Sequence, residues 1–118
     1  SAAGRFGYAF RTPYAAAKWG IIGFTQSLAK ELGPERIRVN AILPGIMEGE
    51  RMENVIAARA AQIGVSHDEM KATYLEKVSL RRMTPAADIA AMATFLISDL
   101  GRNVSGQSLP VDGNVEAL

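Results

Sequence analysis

The sequence predicts an α/β fold, the second half of an open, doubly wound parallel sheet. Two apolar strand patterns carry this prediction: Ile37 to Leu43, which runs into Pro44-Gly45, and Gln107 to Val111, which runs into Asp112-Gly113. Helical patterns alternate with the strands, as parallel strands require. Because two strands alone make a marginal sheet, we expect the natural protein or its assembly to supply further strands.

The first third of the chain predicts a loop followed by a long helix. Residues 1 to 13 contain Gly4, Gly7 and Pro13 among aromatic side chains, a mixture typical of an irregular loop. Helical spacing of apolar and small residues then runs from Tyr14 to about Leu32, where Gly33-Pro34 ends it. Small residues near the start of this helix allow another backbone or a flat ligand to approach closely.

The first predicted strand and the two helices after it are expected to border a ligand site. The apolar run from Ile37 to Leu43 is typical of a strand buried on both faces, so its carboxyl end is a candidate ligand site. Residues 51 to 63 and 67 to 77 predict two short amphipathic helices separated by Gly64. Together these helices suggest a mobile cover.

A last helix is predicted before the second strand. Thr84-Pro85 predicts an N-cap and a first-turn proline for a helix over residues 85 to 98, and Gly101 marks its end. Helical spacing places five apolar residues of this helix on one core-facing stripe: Ile89, Met92, Ala93, Leu96 and Ile97.

Composition limits the partners. The 118 residues are 48% hydrophobic and 21% charged, an ordinary mixture for one globular domain. A net charge of +1 gives no electrostatic reason to expect nucleic acid or an anionic membrane, so a small molecule is the expected partner. The sequence has no cysteine and no apolar run long enough to span a bilayer. We therefore expect a cytoplasmic protein without disulfides.

Tyr14 and Lys18 form the most informative pair of the sequence. Four residues apart on a helix, the phenol and the ammonium lie on one face. An ammonium about 4 Å away stabilises a phenolate by roughly 4 kcal/mol at an effective dielectric near 20. The pair therefore suggests a proton-transferring enzyme. A solvated helix edge would give the same two residues, and only further motifs favour catalysis.

Those further motifs agree in their spacing. Ser1, Tyr14-Ala15-Ala16-Ala17-Lys18, Ile37-Arg38-Val39-Asn40 and Pro44-Gly45 together resemble the short-chain dehydrogenase/reductase family over essentially the whole chain. The resemblance implies that residues 1–118 are the C-terminal part of a single Rossmann-like domain. The Gly-rich, dinucleotide-binding N-terminal half of that fold has no counterpart in the sequence. We therefore expect the chain alone to be inactive.

The resemblance also assigns roles to individual residues. It implies that Tyr14 is the general acid/base, that Lys18 stabilises the tyrosinate and holds the nicotinamide ribose, and that Ser1 hydrogen-bonds the substrate oxygen. Tyr14 and Lys18 would thus also contact the cofactor. The segment after the strand would meet the nicotinamide carboxamide through its backbone: Pro44, Gly45, Ile46 and Met47. Many members have a threonine where this sequence has Gly49. The contact between that threonine hydroxyl and the cofactor is therefore not expected here.

The implied function is that of an NAD(P)-dependent oxidoreductase that interconverts a secondary alcohol and a ketone. A 3-oxoacyl thioester or a polyol is the expected substrate class, with residues 46 to 82 as the substrate-cover insertion. The cofactor is NAD or NADP, and the protein is expected to form a homo-oligomer, a dimer or a tetramer. The alternative is a non-catalytic fragment that serves as an assembly or binding module through its long first helix.

The roles of several other side chains can be interpreted in two ways. Met47, Met52 and Met70 could line a substrate pocket or simply pack. Arg81 and Arg82 are expected to pair with surface acids rather than with an anionic substrate. His67 is expected at a helix start, and no second ligand follows at metal-binding spacing, so no metal site is predicted.

Overall fold

A computed structural model describes all residues, 1–118, and contains four helices and two strands. The helices and strands follow in this order: α1 Thr12–Leu32, β1 Ala41–Pro44, α2 Glu50–Ile63, α3 His67–Leu75, α4 Ala86–Ile97 and β2 Ser108–Val111. Short 3₁₀ turns occupy Ala2–Gly4, Gly33–Glu35 and Asp99–Gly101. None of the helices combines the length and the apolar character needed to cross a membrane.

The two strands pair in parallel, as the alternating pattern predicted. Ala41 lies opposite Ser108 and Pro44 opposite Val111, so both strands end at the same edge. The sheet has only these two strands, and of the residues of β1 only Leu43 is buried. Within this chain β1 is therefore buried less than its apolar run predicts.

Residues 37 to 40 lie outside the strand that was predicted for them. Asn40 Nδ2 donates to the Val104 carbonyl, at 2.9 Å, and the Val39 amide donates to Ser105 Oγ. The Gly106 amide donates in turn to the Val39 carbonyl. Hydrogen bonds to the turn before β2, two of which involve side chains, thus replace regular ladder bonds, and the paired strand begins at Ala41.

The first helix begins two residues earlier than predicted and ends where predicted. Pro13 occupies its first turn, where no backbone N–H is needed, and Gly33-Pro34 follows its last residue. Within the preceding loop, Ser1 Oγ accepts the Ala3 amide and caps the turn Ala2–Gly4. Most of α1 is exposed or half-exposed, and Thr25 is its only buried residue.

The two cover helices pack against each other around their own small core. Ile56 and Ala60 of α2 meet Met70 of α3, and Met83 closes the cluster. Ser66 and Glu69 form a capping box that begins α3. Since Met70 is buried and Met52 packs against the same cluster, these two methionines are packing residues.

The last helix differs from its prediction at both ends. Pro85 is the N-cap residue and Ala86 begins the helix, while Thr84 is buried beside the strand exit, where its amide donates to the Ile46 carbonyl at 2.7 Å. Leu96 is buried, but Ile97 is 82% exposed and does not belong to the core. The helix stops at Ile97, and the turn Asp99–Gly101 follows it.

Candidate active site

The structure brings Ser1, Tyr14 and Lys18 together. The Tyr14 hydroxyl donates to Ser1 Oγ at 3.3 Å, and Lys18 Nζ lies 5.2 Å from the centre of the Tyr14 ring. Tyr14 stays 40% exposed, so its hydroxyl can be reached from solvent. An alcohol, a phenol and an ammonium thus share one accessible surface, a set that can hydrogen-bond an oxygen and exchange a proton with it.

A close contact between the first turn and α1 holds Ser1 beside Tyr14. Ala2, Ala3 and Gly4 are buried, and the turn that they form contacts α1. A Cβ on Gly4 would come within 3.3 Å of both the Lys18 carbonyl oxygen and Ile22 Cγ1. The absence of a side chain therefore lets the turn lie directly on α1, one helical turn beyond Tyr14.

Lys18 acts on this surface as a nearby positive charge. Its ammonium lies over the Tyr14 ring, 5.2 Å from the ring centre. Lys18 itself is half-buried and makes no hydrogen bond or ion pair with another residue. Its donors are consequently free for a ligand.

The segment after β1 leads from the sheet edge towards the turn of Ser1. Pro44 is the last residue of β1, and the Gly45 amide donates to the Val111 carbonyl at 3.1 Å. Ile46 packs against a buried cluster of Ala2, Val78 and Val115. Met47, half-buried, forms a bridge with Thr84. The strand exit and the Ser1 turn thus share one apolar cluster.

Tyr8 is a neighbour of the site that the sequence did not single out. Its ring meets the Tyr14 ring edge to face, with the ring centres 6.3 Å apart, and the Arg11 guanidinium lies 5.5 Å from the Tyr8 ring centre. The only signal for it was an aromatic residue in the loop that precedes the Tyr14 helix.

Arg5 and Asp112 form an ion pair that no local pattern indicated. Arg5 Nη2 donates to Asp112 Oδ2 at 2.7 Å, and the Asp112 side chain is only 4% exposed. The pair borders an open cavity of about 420 Å³ that Arg82, Asp88 and Asn114 also line. Tyr14 and Lys18 do not line this cavity.

The remaining candidates lie apart from the three-residue group. Arg81 donates to the backbone carbonyls of Glu76 and Val78 beyond α3, and neither Arg81 nor Arg82 forms an ion pair, so the predicted pairing with surface acids is wrong. His67 begins α3, as predicted, with Nε2 2.9 Å from Glu53 Oε2. Gly49 is the N-cap residue of α2.

Comparison with known proteins identifies the family. A family model described as enoyl-(acyl carrier protein) reductase matches residues 1–115. The chain belongs to the short-chain dehydrogenase/reductase family. Membership confirms the resemblance carried by Ser1, Tyr14-Ala15-Ala16-Ala17-Lys18 and Pro44-Gly45.

Three short-chain dehydrogenase/reductase relatives show how much of the family's length is present. The 3-oxoacyl-(acyl-carrier-protein) reductase FabG of Chlamydia pneumoniae is 40% identical over 111 residues, which is 94% of this chain and 40% of FabG. Galactitol 2-dehydrogenase of Agrobacterium fabrum is 41% identical, over 96% of this chain and 44% of that protein. A crystal structure of a variant actinorhodin polyketide ketoreductase with NADPH superposes with a TM-score of 0.87 and 30% identity, covering 100% of this chain and 45% of that one. The chain spans less than half the length of each.

Proposed function

We propose that the protein is an NAD(P)-dependent oxidoreductase that interconverts a secondary alcohol and a ketone, with Tyr14 as the general acid/base. One observation carries the proposal: the Tyr14 hydroxyl is hydrogen-bonded to Ser1 at 3.3 Å and lies on the same helical face as Lys18. Family membership supports it, because the relatives named above are reductases and a dehydrogenase.

In the reducing direction, the Tyr14 hydroxyl gives its proton to the substrate oxygen as that oxygen gains negative charge. Ser1 Oγ–H donates a second hydrogen bond to the same oxygen and stabilises the developing charge. The Lys18 ammonium stabilises the tyrosinate that remains. In the oxidising direction, Tyr14 removes the proton from the alcohol. The nicotinamide cofactor, NAD or NADP, would supply the hydride in its reduced form and accept it in its oxidised form.

The residues present fit a nicotinamide cofactor at the edge of this group. The free, half-buried Lys18 ammonium suits the hydroxyls of a ribose, and Tyr14 lies one turn before it on the same face. The nicotinamide carboxamide would be contacted by the backbone of four residues, Pro44, Gly45, Ile46 and Met47. Gly49 has no hydroxyl and would make no side-chain contact with the cofactor. The NADPH-bound ketoreductase supports a dinucleotide cofactor of this kind.

The substrate class that we propose is a 3-oxoacyl thioester or a polyol. One relative is named for each class: FabG for the thioester and galactitol 2-dehydrogenase for the polyol. Residues 46 to 82, which include the packed pair α2 and α3, would form the cover that selects between them. The core of this pair is formed by Ile56, Ala60, Met70 and Met83 and includes no residue of the Tyr14 group.

Replacing Tyr14 by Phe tests the proposal. Removing the hydroxyl removes the proton donor, and we expect kcat to fall by about 10² to 10⁴-fold. Nicotinamide fluorescence titration of the same variant should give a cofactor Kd within about threefold of wild type, because Lys18 and the backbone of Pro44 to Met47 remain. Turnover within a few fold of wild type would refute the role of Tyr14.

We further propose that residues 1–118 are the C-terminal part of a single Rossmann-like domain in a homo-oligomer, a dimer or a tetramer. The half-buried strands and an exposed apolar row on α1, Ile21 and Phe24, support both statements. The same row favours the second candidate function, a non-catalytic assembly module. That alternative predicts that Tyr14→Phe leaves the function of the protein unchanged.

A further inference from the structure

We infer that Arg5 and Asp112 are positioning residues for the reaction, because their ion pair fixes the Ser1 turn relative to the Gly45 backbone. The inference rests on the proposed function and adds two residues to it. Neither residue contacts Tyr14 or Lys18 through a hydrogen bond, so both would act through the groups that they hold.

The arginine is part of the same turn as the catalytic serine. The Arg5 amide donates to the Ala2 carbonyl at 3.0 Å and closes the turn that Ser1 Oγ begins by accepting the Ala3 amide. Anchoring the guanidinium therefore anchors the turn. A shift of Arg5 would move Ser1 Oγ away from the Tyr14 hydroxyl.

The aspartate offers a fixed point for this anchor. Its Oδ2 accepts Arg5 Nη2, and its Oδ1 accepts the Asn114 amide at 2.9 Å. Arg5 Nη2 also donates to the Val115 carbonyl at 3.0 Å. With both carboxylate oxygens bonded and the side chain buried, Asp112 has little freedom to move.

The backbone of Asp112 lies directly against Gly45. A Cβ on Gly45 would be 2.6 Å from Asp112 Cβ and 2.7 Å from its Cα, distances that real side chains do not reach. The Gly45 amide is also bonded to Val111, the residue before Asp112. One ion pair thus links the serine turn to the segment proposed to contact the nicotinamide carboxamide.

Positioning explains this pair better than stability does. The cost of desolvating a buried ion pair often exceeds its Coulombic gain, so such a pair is a weak source of stability. Its geometry, in contrast, is specific, and a displacement of about 1 Å at a catalytic group can cost about 10²-fold in rate.

The test compares single and paired replacements in the protein that contains this chain. Arg5→Met alone leaves the Asp112 carboxylate buried without its partner and is expected to lower Tm. Arg5→Met combined with Asp112→Asn removes both charges, so Tm should recover while the anchor stays lost. We expect this double variant to lose about 10 to 100-fold in kcat, with substrate KM and cofactor Kd within about threefold. Arg5→Lys, which retains the cation, should restore part of kcat.

Arg102→Ala provides the matched control, because the Arg102 side chain is exposed and makes no hydrogen bond or ion pair. Recovery of kcat together with Tm in the double variant would show a purely structural role and overturn the inference alone. If the wild-type protein turned over neither substrate class with either cofactor, the proposed function would fail first and the inference with it.

Discussion

At the scale of single residues, two glycines set the geometry of the candidate site, because each lets another segment of the chain contact its backbone directly. Gly4 lets the Ser1 turn lie on α1, and Gly45 lets the strand exit lie on Asp112. The resulting hydrogen bond between Tyr14 and Ser1 depends on the first contact, and the proposed cofactor segment depends on the second. Glycine therefore acts here by allowing contact rather than by adding flexibility.

Gly45→Ala is predicted to destabilise the protein. The added methyl would overlap Asp112, and forcing it in should cost about 1 to 3 kcal/mol of unfolding free energy. Chemical denaturation with urea measures this difference. Gly20→Ala is the control, because Gly20 lies inside α1 with nothing within 4 Å of the new methyl, and it should stabilise by about 0.5 to 1 kcal/mol. Equal effects of the two changes would contradict the packing argument.

At the scale of helices, Glu53 joins the two cover helices. Lys71 Nζ of α3 donates to Glu53 Oε1 of α2 at 2.8 Å, and His67 Nε2 lies 2.9 Å from the other carboxylate oxygen. The Lys71 hydrogen bond is the main reason that the pKa of Glu53 lies below its usual range, and the same bond raises the pKa of Lys71. The contact between α2 and α3 therefore has an ionic part besides its apolar core.

This ionic contact predicts a pH dependence. A lowered folded-state pKa means that Glu53 stabilises the fold above its unfolded pKa, about 4.3, and that this contribution disappears as the pH falls through the folded value. The raised pKa of Lys71 has the opposite sign, so its contribution persists until the pH rises past about 10.4. Lys71→Met should therefore lower Tm between pH 5 and pH 9, and this Tm difference should shrink as the pH falls below about 4.3.

Thermal unfolding of wild type and Lys71→Met over this pH range measures the effect. Lys77→Met is the control, because the Lys77 side chain is exposed and unpaired. A Tm difference that stays constant down to pH 3 would show that Glu53 is not the partner of Lys71.

At the scale of the whole molecule, the chain is elongated and few of its residues are buried. Its radius of gyration is 16.5 Å, against about 13.5 Å expected for a compact domain of this length. Only 15 of 118 residues are buried. Ile21 and Phe24, three residues apart on one face of α1, are 49% and 64% exposed, and exposed apolar patches of this kind usually mark contact surfaces.

The exposed row on α1 predicts that the protein self-associates through this helix and that a charge introduced into the row weakens the association. Phe24→Lys places an ammonium where an apolar contact is expected, so the dissociation constant of the oligomer should rise at least tenfold. Sedimentation equilibrium of the protein measures it. Gln26→Lys adds the same charge at an exposed polar position of the same helix and should change little. Association that is insensitive to both changes would place the contact elsewhere.

Sequence reasoning succeeded where the signal was local and failed where it was not. The helix that carries Tyr14 and Lys18 follows from spacing alone, and the strand exit at Pro44 follows from an apolar run that meets a proline. Arg5 and Asp112 are 107 residues apart, so no periodicity relates them. Ile97 was misplaced because helical spacing continues past the last residue that the chain actually buries.

The hydrogen bonds around Thr84 bring the two ends of residues 48 to 83 together. The Thr84 amide donates to Ile46 and its carbonyl accepts the Glu48 amide at 2.9 Å, so both ends of the segment meet at one point beside the sheet. Closing a longer segment at such a point costs little, about 0.6 kcal/mol for each doubling of length. The length of chain between these two ends can therefore vary at little cost, whereas Val78, buried against Ala2 and Val115, ties the last part of the segment to the Ser1 turn.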